Sequence, residues 1–140
     1  MQKTILCLLI LISFSCRKNT QKAKVKADEL LEQIAKGNAL NEFPEKNFPR
    51  DQSILILKYL QEGCDFKNRK GHFINDFYQK DLGGIDQVSF IYEFYLKCDS
   101  IRIVLTYNIS DTLELLNFKL VTIKEDNKMI LKPERRLINQ

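Results

Sequence analysis

Apolar residues along this chain follow four different rhythms. Ile5, Leu6, Cys7, Leu8, Leu9, Ile10, Leu11 and Ile12 form an unbroken run. Further on, Ala27, Leu30, Leu31, Ile34 and Ala35 recur at i, i+3, i+4, i+7 and i+8, the stripe of a helix lying on a core. Glu32 and Lys36 make an i,i+4 pair on its wet side, and Gly37-Asn38 supplies the stop. Two X-Pro steps between residues 38 and 50 forbid regular helix, so an extended connection pinned by Phe43 and Phe48 is expected there. Asp51 looks like the N-cap of a second helix that ends at Gly63. Its apolar residues, Ile54 to Leu57 with Tyr59 and Leu60, lie almost all round, which leaves a strand open. The caps and the length favour helix.

From Gly71 the period changes to two. Residues 72–79 read as a first strand and Asp81-Leu82-Gly83-Gly84 as a turn. Val88, Phe90, Tyr92, Phe94 and Leu96 then alternate with Ser89, Glu93 and Lys97. After Cys98-Asp99-Ser100, residues Ile101, Ile103, Leu105, Tyr107 and Ile109 alternate with Arg102, Thr106 and Asn108. Leu116, Phe118 and Leu120 continue the pattern, with Leu115-Leu116 marking a bulge. A last short strand is expected over Met129 to Leu131. The fold class is α+β: two N-terminal helices followed by a four- to five-stranded antiparallel meander. The sheet is expected to curl around the first helix, since each has one apolar face to hide.

The N-terminal run is too short to span a bilayer. From Thr4 to Phe14 it reaches roughly 16 Å as a helix, half of a ~30 Å hydrocarbon core. Behind the single cation Lys3 it has the proportions of a secretory h-region. Ser13-Phe14-Ser15-Cys16 follows, and with Ile10-Leu11-Ile12 before it this stretch resembles a bacterial lipobox. Phe14, where a small residue is usual, departs from the strict pattern. The resemblance implies diacylglycerol on the Cys16 thiol, cleavage before it and fatty acylation of its amine. The alternative is ordinary cleavage after Ser13 or Ser15. The expected organisation is a signal peptide over 1–15, a lipidated tether over 16–23, one domain over 24–132 and a polar tail over 133–140. Two or three acyl chains, at ~0.8 kcal/mol per CH₂, would hold the protein in a membrane.

Charge adds little to this picture. Lysine and arginine total 22 against 18 acids, and removing residues 1–15 takes away only Lys3. A net charge near +3 does not point to nucleic acid, and export leads away from it. Arg17, Lys18, Lys22, Lys24 and Lys26 nevertheless precede the first acid after Cys16, Asp28. That fits either an anionic membrane surface or a solvated linker; the resemblance to lipoproteins of Bacteroidetes-type bacteria, whose surface-displayed members often carry acids just after the cysteine, implies the periplasmic side. With Cys7 removed and Cys16 lipidated, Cys64 and Cys98 remain. In an oxidising compartment they are expected as a disulfide, with two buried thiols as the alternative.

The segment from Lys70 to Leu131, above all 88–100 (Val-Ser-Phe-Ile-Tyr-Glu-Phe-Tyr-Leu-Lys-Cys-Asp-Ser), is similar to small lipoproteins of Bacteroidetes-type bacteria. The order helix, helix, long strands resembles the cystatin-like and nuclear transport factor 2-like folds. These likenesses imply architecture and address, and carry over no catalytic motif, metal ligand or cofactor. Within the chain, His72 is the lone histidine, and Asp76, four residues on, is expected on its face of the strand. Asp76, Asp81, Asp86, Glu93 and Asp99 are explained by turns and wet faces; Gly83-Gly84 lacks the strand-loop-helix context of a phosphate cradle. With Phe90, Tyr92 and Phe94 inward, Ile91, Tyr95, Arg102 and Val104 face outward as a candidate partner-binding surface. The reading is a non-catalytic, lipid-anchored envelope protein that binds an envelope partner or a small apolar ligand. The alternative is a ligand-pocket protein or weak enzyme of the nuclear transport factor 2-like kind.

Overall fold

A computed structural model of the chain describes residues 2–110 and 112–123. It is an α+β arrangement of two helices on an open antiparallel sheet. Strands β1 (Lys70–Lys80), β2 (Asp86–Tyr95), β3 (Ser100–Asn108) and β4 (Leu115–Thr122) follow one another in the order β1-β2-β3-β4, the outcome that short connections favour. Helix α1 (Gln2–Lys36) and helix α2 (Arg50–Lys58) both contribute to one core against a single face of this sheet. The expected strand at Met129–Leu131 and the tail 133–140 lie outside the described residues.

Helix α1 buries the stripe read from its sequence. Ala23, Ala27, Leu30, Leu31 and Ile34 are almost inaccessible, and they pack with Val88, Phe90, Tyr92 and Phe94 of β2 and with Ile101, Ile103, Leu105 and Tyr107 of β3. The Lys36 ammonium, 2.7 Å from Glu32, holds that carboxyl below its ordinary range. One expectation is corrected here. Residues 17–23 do not form a tether but continue α1, with Ala23 fully buried. The Asn19 side-chain amide donates to the Ile109 carbonyl at 3.0 Å, so contact with the sheet is already made three positions after Cys16.

The connection after α1 also differs from the extended segment expected. A 3₁₀ turn spans Ala39–Glu42. Phe43 and Phe48 do anchor it, meeting edge-on at 5.5 Å, with Phe43 5.6 Å from Phe118 of β4. Helix α2 begins at Arg50 after Pro49, whose carbonyl accepts from Ser53 N–H, and no side chain caps it. Asp51 therefore sits inside the first turn, where its charge meets the positive end of the helix dipole. Leu57 and Leu60 turn inward while Ile54, Leu55 and Tyr59 stay exposed. After a π-helical turn, Tyr59–Gly63, a Cys64–Cys98 disulfide ties this segment to the turn between β2 and β3.

Both outer strand pairs contain an irregularity. In β4 the register passes from Thr106↔Asn117 to Tyr107↔Leu115, so Leu116 is the extra residue, where the doubled leucine announced it. In β1 the register shifts between Phe73 and Asn75.

Candidate functional site

Residues directly opposite one another in an antiparallel ladder share a face. Phe90, Tyr92 and Phe94 oppose Leu105, Ile103 and Ile101, and all six are buried beneath the helices. Ile91 opposes Val104, Glu93 opposes Arg102 and Tyr95 opposes Ser100, which places Ile91, Tyr95, Arg102 and Val104 together on the other face. Tyr95 is 54% exposed, and the other three are half-buried. The Arg102 guanidinium is engaged within this face, since its Nε donates to Glu93 Oε1 at 3.0 Å and Nη2 closes a second bond to the same oxygen. On the far side of Ile91 and Val104 from this ion pair, the Ser89 and Thr106 hydroxyls meet at 2.7 Å. The patch is thus a low apolar ridge of Ile91 and Val104, rimmed by an ion pair and a tyrosine.

Strand β1 extends this face to the sheet edge. All eleven of its residues are exposed, and Phe73, Ile74, Phe77 and Tyr78 are each 42–54% exposed. It pairs with β2 on one side, and among the described residues no strand lies on the other. A long apolar edge of this kind is a template for another chain. On the helix side of β1, Phe73 packs on Tyr92 with ring centroids 5.7 Å apart, and the Lys24 ammonium stands 4.6 Å above Phe73. Lys24 also bonds Asp28, to which the Tyr92 hydroxyl donates at 2.8 Å. Burial, with the neighbouring Asp28 carboxylate, pushes the Tyr92 phenol far above its ordinary pKa, and burial does the same to Tyr107. Both phenols therefore act as neutral, fixed parts of the scaffold.

The register shift in β1 corrects the expectation about His72. His72 opposes Glu93 on the helix-free face and stacks on Tyr95, centroids 6.0 Å apart. Asp76 opposes Phe90, so it lies on the helix side. The inserted residue thus puts His72 and Asp76 on opposite faces, and they make no acid–base pair. The remaining carboxylates have local work. Asp81 Oδ1 accepts from Ile85 N–H at 2.8 Å, Asp99 from Ser100 N–H at 2.8 Å, and Asp86 from the Tyr78 hydroxyl. Among the described residues no three His, Cys, Asp or Glu side chains are grouped to hold a metal ion.

A cleft of about 130 Å³ lies between the 3₁₀ turn and α2, walled by Phe43, Phe48, Arg50 and Ser53. Small-molecule sites are usually about 300–1,000 Å³. A shallow open depression runs over Leu55, Lys58 and Tyr59. Among the described residues no helix is long and apolar enough to cross a membrane. Comparison of the chain with protein families, with curated proteins and with solved structures finds no match.

Proposed function

We propose that the chain is an exported lipoprotein, acylated at Cys16 and facing the periplasm, whose sheet binds a protein partner in the cell envelope without catalysis. The observation that carries the binding half is β1, an eleven-residue edge strand with no buried residue that bears two phenylalanines, an isoleucine and a tyrosine. An extended segment of a partner would add to this edge by main-chain hydrogen bonds. Its side chains would lie beside Phe77 and His72 of β1 on the helix-free face, with Ile91 and Tyr95 of β2 one strand further in. A protein is favoured over a small apolar ligand because the space between helices and sheet is filled by Phe66, Phe90, Phe94, Leu31 and Ile34, and the walled cleft is small. The anchoring half rests on the apolar run, the Ser13-Phe14-Ser15-Cys16 stretch and the disulfide between Cys64 and Cys98, which suits an oxidising compartment.

Two experiments test the halves separately. Cys16→Ser should leave a precursor without acyl mass and shift the protein out of the membrane fraction. Wild-type protein beginning at residue 14 or 17 with no acyl mass would refute anchoring. For binding, photo-crosslinkers at Phe77 and Tyr95 in cells should give one discrete adduct that a crosslinker at Leu55 does not. Identical adducts at all three positions would refute the sheet as the binding surface.

A further inference from the structure

The end of the domain that carries Leu82 lies on the side where a lipid on Cys16 would be. Asn19, three positions after Cys16, has its side chain bonded to the Ile109 carbonyl. Ile109 N–H in turn donates to the Asp86 carbonyl at 2.9 Å, and Asp86 opposes Lys80 at the mouth of the β1–β2 hairpin. Asn19, the end of β3 and the hairpin tip therefore belong to one end of the sheet. The Cys64–Cys98 disulfide and Lys36 lie at the other, since Lys36 is about 26 Å further along α1 at 1.5 Å per residue. Cys16 and Asn19 are three positions apart, and at ~3.3–3.6 Å per residue that is about 10 Å even when fully extended. A lipid on Cys16 would hold this end, not the disulfide end, against the bilayer.

That end is chemically suited to a membrane surface. Leu82 at the hairpin tip is fully exposed, Ile85 beside it is 38% exposed, and the backbone between them is Gly83-Gly84. Asp81, the tip's acid, is turned inward to Ile85 N–H and the Gln87 side chain. Asp86 is engaged by Lys80 and Tyr78. Exposed Lys18 and Lys22 lie on α1 within two turns of the anchor. An apolar tip with exposed cations at the same end of the domain matches the interfacial layer of a bilayer carrying anionic lipids.

We propose that the β1–β2 hairpin tip, through Leu82 and Ile85, is a second membrane contact that docks the domain upright on the bilayer holding its anchor. This inference rests on the anchoring reading above. The chain contains no tryptophan, so Leu82→Trp and Lys36→Trp each report on a single site. Each full-length variant is expressed in its native envelope, purified as processed protein and reconstituted into phosphatidylethanolamine–phosphatidylglycerol vesicles containing brominated lipid. The Leu82→Trp emission should be blue-shifted and strongly quenched, and the Lys36→Trp emission unquenched. Leu82→Trp protein that floats with the vesicles and carries acyl mass, yet emits without quenching, overturns the docking while the anchor stands. Equal quenching at both positions also overturns it, because the domain would then lie without preferred orientation. Protein that neither floats nor carries acyl mass overturns the anchoring reading and the docking with it.

Discussion

Replacing Gly71 by alanine should destabilise the protein, although alanine is ordinarily the better strand residue. Gly71 opposes Phe94 at the start of β1, and the Phe94 ring lies over its backbone. A Cβ at residue 71 would sit 2.0 Å from Phe94 Cδ1, 2.4 Å from Cε1 and 2.7 Å from the Glu93 carbonyl oxygen. The ring has little room to yield. Phe94 is 1% exposed, its ring is 5.0 Å from Phe66, itself fully buried, and Tyr92 stacks at 6.3 Å. Relief requires β1 to lift from β2 or the Phe66–Phe94 pair to leave its packing. Overpacking of this kind costs about 1–3 kcal/mol, against the ~0.5–1 kcal/mol that removing a glycine from a strand usually gains. The net expectation is a loss of about 1–2 kcal/mol, read as a lower urea midpoint at unchanged slope. Gly63→Ala serves as the control. Its Cβ would meet nothing closer than Tyr59 Cδ2 at 3.8 Å, so stability should hold or rise by up to about 1 kcal/mol. In a double-mutant cycle, Phe94→Leu should remove most of the Gly71→Ala penalty, because a shorter side chain vacates the contested space. A Gly71→Ala midpoint equal to or above wild type would refute the close approach of β1 to Phe94.

Three further outcomes are expected. The Cys64–Cys98 bond closes a loop over a sequence separation of 34, so reducing it should cost about 3.8 kcal/mol in the chain-entropy treatment; coincident urea transitions with and without reductant would count against that. Phe94→Ala should cost about 3–5 kcal/mol through lost burial and a cavity, while Tyr95→Ala should stay within about 0.5 kcal/mol; equal losses would mean that the strand is buried on both sides. Tyr92 and Tyr107 have phenols held above the ordinary value of about 10 by burial, so their contribution is complete below that pH. As pH rises beyond 10 the unfolded phenols ionise first, and stability should fall by about 1.4 kcal/mol per pH unit for each tyrosine. Unfolding followed against pH should show a shallower alkaline decline in Tyr92→Phe than in wild type.

What the sequence reveals depends on whether an element buries one face. The alternation in β2 and β3 identifies their inward residues, because a strand with a buried face cannot slip without moving its apolar set into water. The same asymmetry exposes the bulge at Leu115-Leu116, where two apolar neighbours break a pattern that burial enforces. Strand β1 has no buried residue. Its apolar side chains point to both sides, alternation carries no face information, and its bulge leaves no trace in the residue order. The expected pairing of His72 with Asp76 fails for that reason. Residues 17–23 mislead for a related cause. That stretch buries only Ala23 among its described side chains, too thin a stripe to distinguish a helix from a polar linker. Its fixing contact, Asn19 to the Ile109 carbonyl, joins residues ninety positions apart and has no local signature.

The loss of the tether changes what anchoring would mean for binding. A flexible linker would let the domain tumble and present every surface in turn. With Asn19 bonded to the end of β3, a lipid on Cys16 and the hairpin tip at Leu82 would fix two points of the same end. The strands then rise from the bilayer, and ten residues of β2 at ~3.3 Å each carry the sheet about 33 Å upward. In that orientation the free edge of β1 stands upright from the lipid surface. A partner's extended segment leaving the membrane would meet it lengthwise, with Phe77 near the bilayer and His72 and Tyr95 further out. A partner reaching the domain only from the disulfide end would find Lys97 and Asp99, not the apolar edge. Anchoring at Cys16 would thus select the kind of partner the sheet could receive: one whose binding segment rises from the same membrane.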